Sequence, residues 1–416
     1  MAGVTSEPGQ AAAQPPEAPL SPSPSPPLPD ETSFSSIVSD PASADSESSS
    51  SQHPAQVLAH NASMSTVTSA STAAAGQPSG GAHVAVKVEA DEGGQCTRTT
   101  CFGTKMATGG MYDVPTYQRV PYVTSGYRIN VRTTRECLMS IFAIHNETLN
   151  IWTHLIGFFV FVAMAVWWLL DIFYLDHGNH HSSRIASVTE ALLEEGKEGG
   201  EERDTTTVQR IEGTVRLDVA FLLLLLFGGA FCMLASAMYH AFSCKHEPGF
   251  GRCLRLDLSG IAVQIAVSIF AGAYFGYACF PSLQKIYLIL TAVLGVTMVC
   301  LPHLRFFQGP AGFKIRFGVL LGCGLSGLVP ALHFVGIAKG EERELLMYII
   351  YMGVLYLGGA ALYTLRVPER WFAPGKFDIL GHSHQWWHMC VFAAAFCWVK
   401  GITQLYYLRL KGCDQL

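Results

Sequence analysis

Beyond residue 150 the chain reads as seven long apolar runs, each close to the roughly 20 residues a helix needs to cross a bilayer. Within a few residues they are Trp152 to Tyr174, Leu217 to Phe242, Leu256 to Phe280, Ile286 to Leu301, Phe313 to Ile337, Leu345 to Thr364 and His384 to Tyr407. The fourth is the shortest. Small residues punctuate them, as in Gly322-Cys323-Gly324-Leu325-Ser326-Gly327, and small residues let membrane helices approach closely. Ahead of the first run, Cys137, Leu138, Ile141, Phe142 and Ile144 recur at helical spacing opposite Arg132, Arg135 and Glu136. That pattern predicts an interfacial amphipathic helix. The first hundred or so residues are rich in Ser, Pro, Ala and Gly and lack apolar surface to offset chain entropy, so they read as a disordered tail. The expected architecture is an all-α membrane protein, a seven-transmembrane helical bundle. It divides into a disordered Ser/Pro/Ala-rich tail (1–105), a juxtamembrane segment with an amphipathic helix (106–151) and the seven-transmembrane domain (152–416).

Composition narrows the classes further. A chain of 416 residues could hold two or three soluble domains, but half its residues are hydrophobic and 14% are charged. Average soluble proteins carry about 25% charged residues. The net charge of −5 is divided unevenly, since residues 1–104 hold two basic against ten acidic side chains, leaving +3 for the remainder. No basic patch for nucleic acid emerges. The first thirty residues lack an apolar core flanked by basic residues, so targeting is expected from an internal segment. Twelve cysteines without a C-x-x-C pair are expected to be mostly free thiols. Counting Lys and Arg near the span ends favours a cytoplasmic N-terminus and an outside C-terminus, once the long, net-acidic loop from about Leu175 to Arg216 is discounted.

In that topology the costly polar residues inside the spans gather at one depth. The second span delivers Ser236 and His240 near its cytoplasmic end, the third begins with Asp257, and the seventh opens with His384 and His388. His384 and His388 stand at i and i+4 on one helical face, where two imidazoles can share one metal. Three histidines plus a water is an open form of catalytic zinc, so His240, His384 and His388 are candidate ligands. Asp257 is then a candidate proton acceptor, and Ser236 a candidate hydrogen-bond partner of the water or of His240. Plainer readings stand beside these: interfacial histidines are common, Asp257 follows Arg252 and Arg255 and could pair with them, and Ser236 could bond its own helix backbone. His154, His303 and His382 have no partner spacing that marks them as ligands, and depth excludes His333. The sequons at Asn61 and Asn146 are expected to be unused on the cytoplasmic side. Trp386, Trp387 and Trp398 fit an interfacial aromatic belt.

The motifs, taken in order, resemble the progestin and adipoQ receptor family, related to haemolysin III proteins. They are His145-Asn146-Glu147-Thr148 running into Asn150-Ile151-Trp152-Thr153-His154, Ser236-x-x-x-His240, Leu256-Asp257-Leu258-Ser259-Gly260, Val367-Pro368-Glu369-Arg370 followed by Pro374-Gly375-Lys376-Phe377-Asp378, and Ser383-His384-Gln385-x-x-His388. The stretch from Gly322 to Phe334 and the Pro-Gly-Lys-Phe-Asp segment are most similar to the adiponectin-receptor branch, while Asn146-Glu147-Thr148 also resembles the family's Golgi member that tethers Raf kinase. The resemblance implies a seven-helix fold with a cytoplasmic N-terminus and zinc held by His240, His384 and His388. It also implies Asp257 contacting the zinc through water, with Ser236 beside it. Ala373 interrupts the family's Phe-Pro-Gly-Lys-Phe run, and the loop from Leu175 to Arg216 is longer and more acidic than the family pattern.

Two functions follow as expectations. One is an adiponectin receptor-like signalling receptor at the plasma membrane, with a hormone outside, a lipid such as ceramide or a fatty acid in the membrane, and ceramidase-like hydrolysis of a lipid amide. The other is a non-catalytic Golgi or endomembrane scaffold with a structural zinc, whose tail tethers a cytosolic signalling partner.

Overall fold

The computed structural model describes residues 88–90, 96–99, 105–176, 205–307, 312–338 and 345–410. Its helices are α1 (Thr134–Ser140), α2 (Thr148–Asp176), α3 (Thr205–Phe242), α4 (Glu247–Gly276), α5 (Pro281–Cys300), α6 (Gly312–Ser326), α7 (Leu328–Ile337), α8 (Leu345–Leu365) and α9 (Ser383–Leu410). Among the described residues, seven segments are long and apolar enough to span a membrane, with α6 and α7 together forming the fifth. Each predicted run falls on one of them. The ends differ where polar residues carry a helix past its apolar run: α2 starts at Thr148 and α5 at Pro281, a residue suited to the first helical turn. The second span grows from a helix that starts at Thr205, inside the segment expected to be loop. The rest of that loop, 177–204, lies outside the described residues, as does most of the tail with Asn61.

Strands β1 (Val88–Ala90), β2 (Cys96–Thr99), β3 (Lys105–Gly110) and β4 (Ser125–Arg128) form one antiparallel sheet in that order. The first two are short pieces near the end of the tail segment, where β-branched Val88 and Thr97 suit a strand. The juxtamembrane helix is shorter than expected. α1 is a seven-residue piece begun by a capping box, in which Thr133 accepts from the Glu136 amide and Glu136 accepts from the Thr133 amide. Cys137 is buried against the bundle, while Leu138, Phe142 and Ile144 remain exposed.

The core is built by α2, α3, α4 and α9, with Phe161, Trp168, Met233, Tyr274, Trp398 and Tyr406 among its buried side chains. Trp398 corrects the aromatic-belt expectation: it is only 6% exposed, and its indole Nε1 donates to the Ser268 carbonyl at 3.0 Å. Its place midway along α9 is the reason, because a residue four turns from the helix start sits within the bundle. Gly260 lets α4 pack closely on α3: a Cβ there would meet the Cys232 Cα at 3.1 Å. One turn away on each helix stand Asp257 and Ser236.

Eight described cysteines are free, as expected of most, whereas Cys279 is disulfide-bonded. It lies at the opposite end of the bundle from the histidines. Free Cys137, Cys244 and Cys253 lie at the histidine end. Disulfides persist in oxidising compartments, so this division agrees with a histidine end facing the cytosol.

Candidate metal centre

The site forms where three helix ends meet. His240 lies in the last turn of α3, and the chain just beyond it is held from outside by Arg128, whose guanidinium donates to the His240 carbonyl at 2.5 Å and the Ala241 carbonyl at 3.0 Å. A buried cation bonded to carbonyls at a helix C-terminus meets both their hydrogen-bond need and the helix dipole. At the start of α9, Glu369 accepts from the Ser383 amide at 2.7 Å and from the Ser383 hydroxyl. A carboxylate at a helix N-terminus has the complementary sign. His384 is the next residue, so this cap sets its position.

Sequence segments far apart lock these ends together. The Asn146 carbonyl accepts from Gln385 Nε2 at 3.2 Å and from His382 Nε2 at 3.1 Å. Buried Asp378 accepts from the Thr124 amide and hydroxyl and from the Ser125 hydroxyl. The Asn146 sequon is therefore part of the packing, with Asn146 3% exposed. Glycosidase treatment is expected to leave the gel mobility of wild type and Asn146→Gln identical at this site; a shift lost only in the variant would contradict its burial.

The three candidate ligands converge. His384 Nε2 lies 3.2 Å from His240 Nε2 and 3.2 Å from His388 Nε2, and the ligand atoms of all three fall within 4.8 Å of one another. Zinc–nitrogen distances of 2.0–2.1 Å in a tetrahedron put neighbouring nitrogens about 3.3 Å apart. The ring partners fix the chemistry. His240 Nδ1 lies 2.7 Å from the Glu147 carboxylate and His388 Nδ1 lies 3.2 Å from the Asn150 carbonyl, both of which only accept. Each Nδ1 therefore carries the proton, and each Nε2 turns a lone pair inward. Two inward lone pairs, with the His384 Nε2 3.2 Å from each of them, suit a cation, so the residues present fit the zinc expectation.

Glu147 was absent from the sequence-based site. It lies just ahead of the first span, bridged also by Asn150 Nδ2 at 2.6 Å. Burial opposes its ionisation, but neighbouring His240 and the hydrogen bonds from His240 and Asn150 outweigh that and hold its carboxyl below the ordinary range. A carboxylate behind a ligating histidine is a recurrent way to fix ring orientation, and its position in the His-Asn-Glu-Thr motif was the available signal. His154 was also underrated. It is buried, stacks on His388 with ring centroids 3.8 Å apart, and neither ring nitrogen has a hydrogen-bond partner.

Asp257 and Ser236 line the same cavity as the three histidines. That cavity has a volume of about 750 Å³ and runs from the histidines between the helices, past Gln264 and Tyr356 to Trp398 and Phe334. Two other histidines singled out in the sequence lie elsewhere: His303 Nε2 is 3.3 Å from the Ser259 hydroxyl, and His333 Nδ1 is 2.8 Å from the Tyr287 hydroxyl at the far end of the bundle.

A family model described as haemolysin-III related matches residues 142–399, which takes in every one of these site residues. The chain belongs to the haemolysin III-related family. Within it, the chain is similar to heptahelical transmembrane protein 4 of Arabidopsis thaliana, 35% identical over 348 residues that cover 73% of this chain and 89% of that protein. It is 35% identical to an adiponectin receptor protein of Drosophila melanogaster over 294 residues, covering 70% of this chain and 57% of that one. A progestin and adipoQ receptor-like protein 1 of Caenorhabditis elegans is 29% identical over 294 residues, covering 70% and 58% of the two chains. This is the heptahelical, adiponectin receptor-like membrane family to which the motifs pointed. The haemolysin III-related match ends at residue 399, short of the end of α9 at Leu410.

Proposed function

We propose that this chain is an adiponectin receptor-like signalling receptor whose three histidines hold zinc and whose cavity presents a lipid amide for ceramidase-like hydrolysis. The observation that carries the reading is the convergence of three inward Nε2 atoms beside a carboxylate at one end of a deep, mostly apolar cavity. A ligand cavity of 300–1,000 Å³ with a few polar groups is the usual size for a long small molecule. Zinc held there supplies Lewis acidity to a carbonyl oxygen and makes water more acidic.

The chain's own residues then have defined roles. Ser236, one hydroxyl among the polar groups of the cavity, stands beside Asp257 to hold the attacking water. Asp257 takes a proton from water as the water oxygen bonds to the amide carbon, and returns that proton to nitrogen as the carbon–nitrogen bond breaks. One amide and one water become one carboxylic acid and one amine. Glu147 and Asn150 keep the His240 and His388 rings turned inward, and the apolar walls hold the hydrocarbon and limit bulk water. The outside hormone and the plasma-membrane location belong to the same proposal, and a cytosolic partner on the tail belongs to the scaffold alternative.

Turnover of a fluorescent ceramide by purified, zinc-loaded protein tests it. Asp257→Asn is expected to lower turnover at least about 100-fold, the lower range for a positioned general base, with zinc content preserved. Equal turnover in wild type and Asp257→Asn would remove the catalytic reading, and zinc binding without any turnover would favour the endomembrane scaffold.

A further inference from the structure

Part-way along the cavity one side chain is out of keeping with its surroundings. Gln264 is 4% exposed, lines the cavity, and has an amide oxygen with no hydrogen-bond partner. Its Nε2 donates to the Ser268 hydroxyl at 3.1 Å, which holds the amide in place. Tyr356 lines the same cavity. Around it the walls are apolar, with Ile261, Ile269, Met352 and Trp398. An unpaired amide oxygen buried among such groups is unfavourable, and a plain hydrocarbon chain beside it would leave it so.

Position gives the group a meaning. Asp257 and Gln264 are seven residues apart, two turns of α4, so they share one helical face and are separated by roughly 10 Å along it. Ser268 continues the same face one turn further. The hydrolytic end and this polar spot are therefore two fixed points along one channel.

We propose that Gln264 and Ser268 form a second, polar subsite that selects a long-chain lipid bearing a hydroxyl group about 10 Å along the channel from Asp257. A hydroxyl can donate to the free amide oxygen and also accept, so it suits the amide in either orientation. This deepens the proposed function and rests on its reading of the cavity as the lipid site.

The test uses full-length, zinc-loaded protein in detergent and measures binding of octadecanoic acid and of a series of its monohydroxylated positional isomers. Wild type is expected to bind the isomer whose hydroxyl reaches Gln264 about threefold to tenfold more tightly than the unsubstituted acid, the worth of one neutral hydrogen bond. Isomers with the hydroxyl near either end should show no such gain. Gln264→Leu should erase the preference while retaining the unsubstituted acid, and Ser268→Ala should reduce it. Because the positional preference is read in wild type, a poorly folding variant does not shield the proposal. Binding of all acids without positional preference, or an undiminished preference in Gln264→Leu, would overturn the subsite alone. Failure of every acid to bind would overturn the lipid-cavity reading and the subsite together.

Discussion

Alanine at His240, His384 or His388 is expected to reduce zinc in the purified protein from about one ion per chain to background, because three protein ligands are the usual minimum for an open zinc site. Each substitution removes one of the converging Nε2 atoms and leaves two imidazoles. Glu147→Gln is expected to behave differently. It spares all three ligands but replaces the acceptor that lies 2.7 Å from His240 Nδ1. Loss of such a partner typically lowers metal affinity 10–100-fold, so zinc should remain at saturation and be stripped at lower chelator concentration. Elemental analysis and chelator competition on the four variants together give a graded pattern. Zinc content unchanged by all three alanines would mean that the histidines do not hold it.

The largest effect on stability is expected far from the metal centre. Asp218 on α3 has a fully buried side chain, accepts from the Tyr274 hydroxyl at 2.7 Å, and meets Arg409 of α9 at 3.3 Å. The Arg409 guanidinium also lies over the Tyr274 ring at 4.8 Å. Arg409→Met strands a carboxylate in the bundle, at an expected cost of about 3 kcal/mol, the low end for breaking a buried ion pair because Arg409 is partly exposed. Asp218→Asn combined with Arg409→Met removes the stranded charge and should recover most of that loss. Thermal unfolding in detergent measures both. Equal destabilisation of the single and double variants would show that packing, and not the charge, accounts for the loss.

Much of the site was legible because membrane helices expose their logic in one dimension. A polar side chain in a span has a depth set by its distance from the end of the run, and Ser236, His240, Asp257, His384 and His388 share one depth when the spans alternate in direction. The i, i+4 spacing of His384 and His388 then places both on one face. Glu147 escaped because it precedes the first apolar run, where a carboxylate carries no cost that marks it. His154 escaped because no spacing within its own helix points to His388, on which it stacks. Trp398 was misread because interfacial tryptophans and buried ones share the same sequence context until the neighbouring helix is known.

The amino-acid sequence by itself determined the number of spans, the approximate ends of each and the residue types brought to one depth, since apolar length and helical period are properties of single segments. Tertiary structure decided which nitrogens turn inward, through partners 93 residues away for His240 and 238 away for His388. It also decided how closely α4 meets α3 at Gly260, and that the Gln264 amide borders the cavity with its oxygen unpaired. Those outcomes depend on which helices pack against one another, and the periodicity of one helix carries no record of its neighbour.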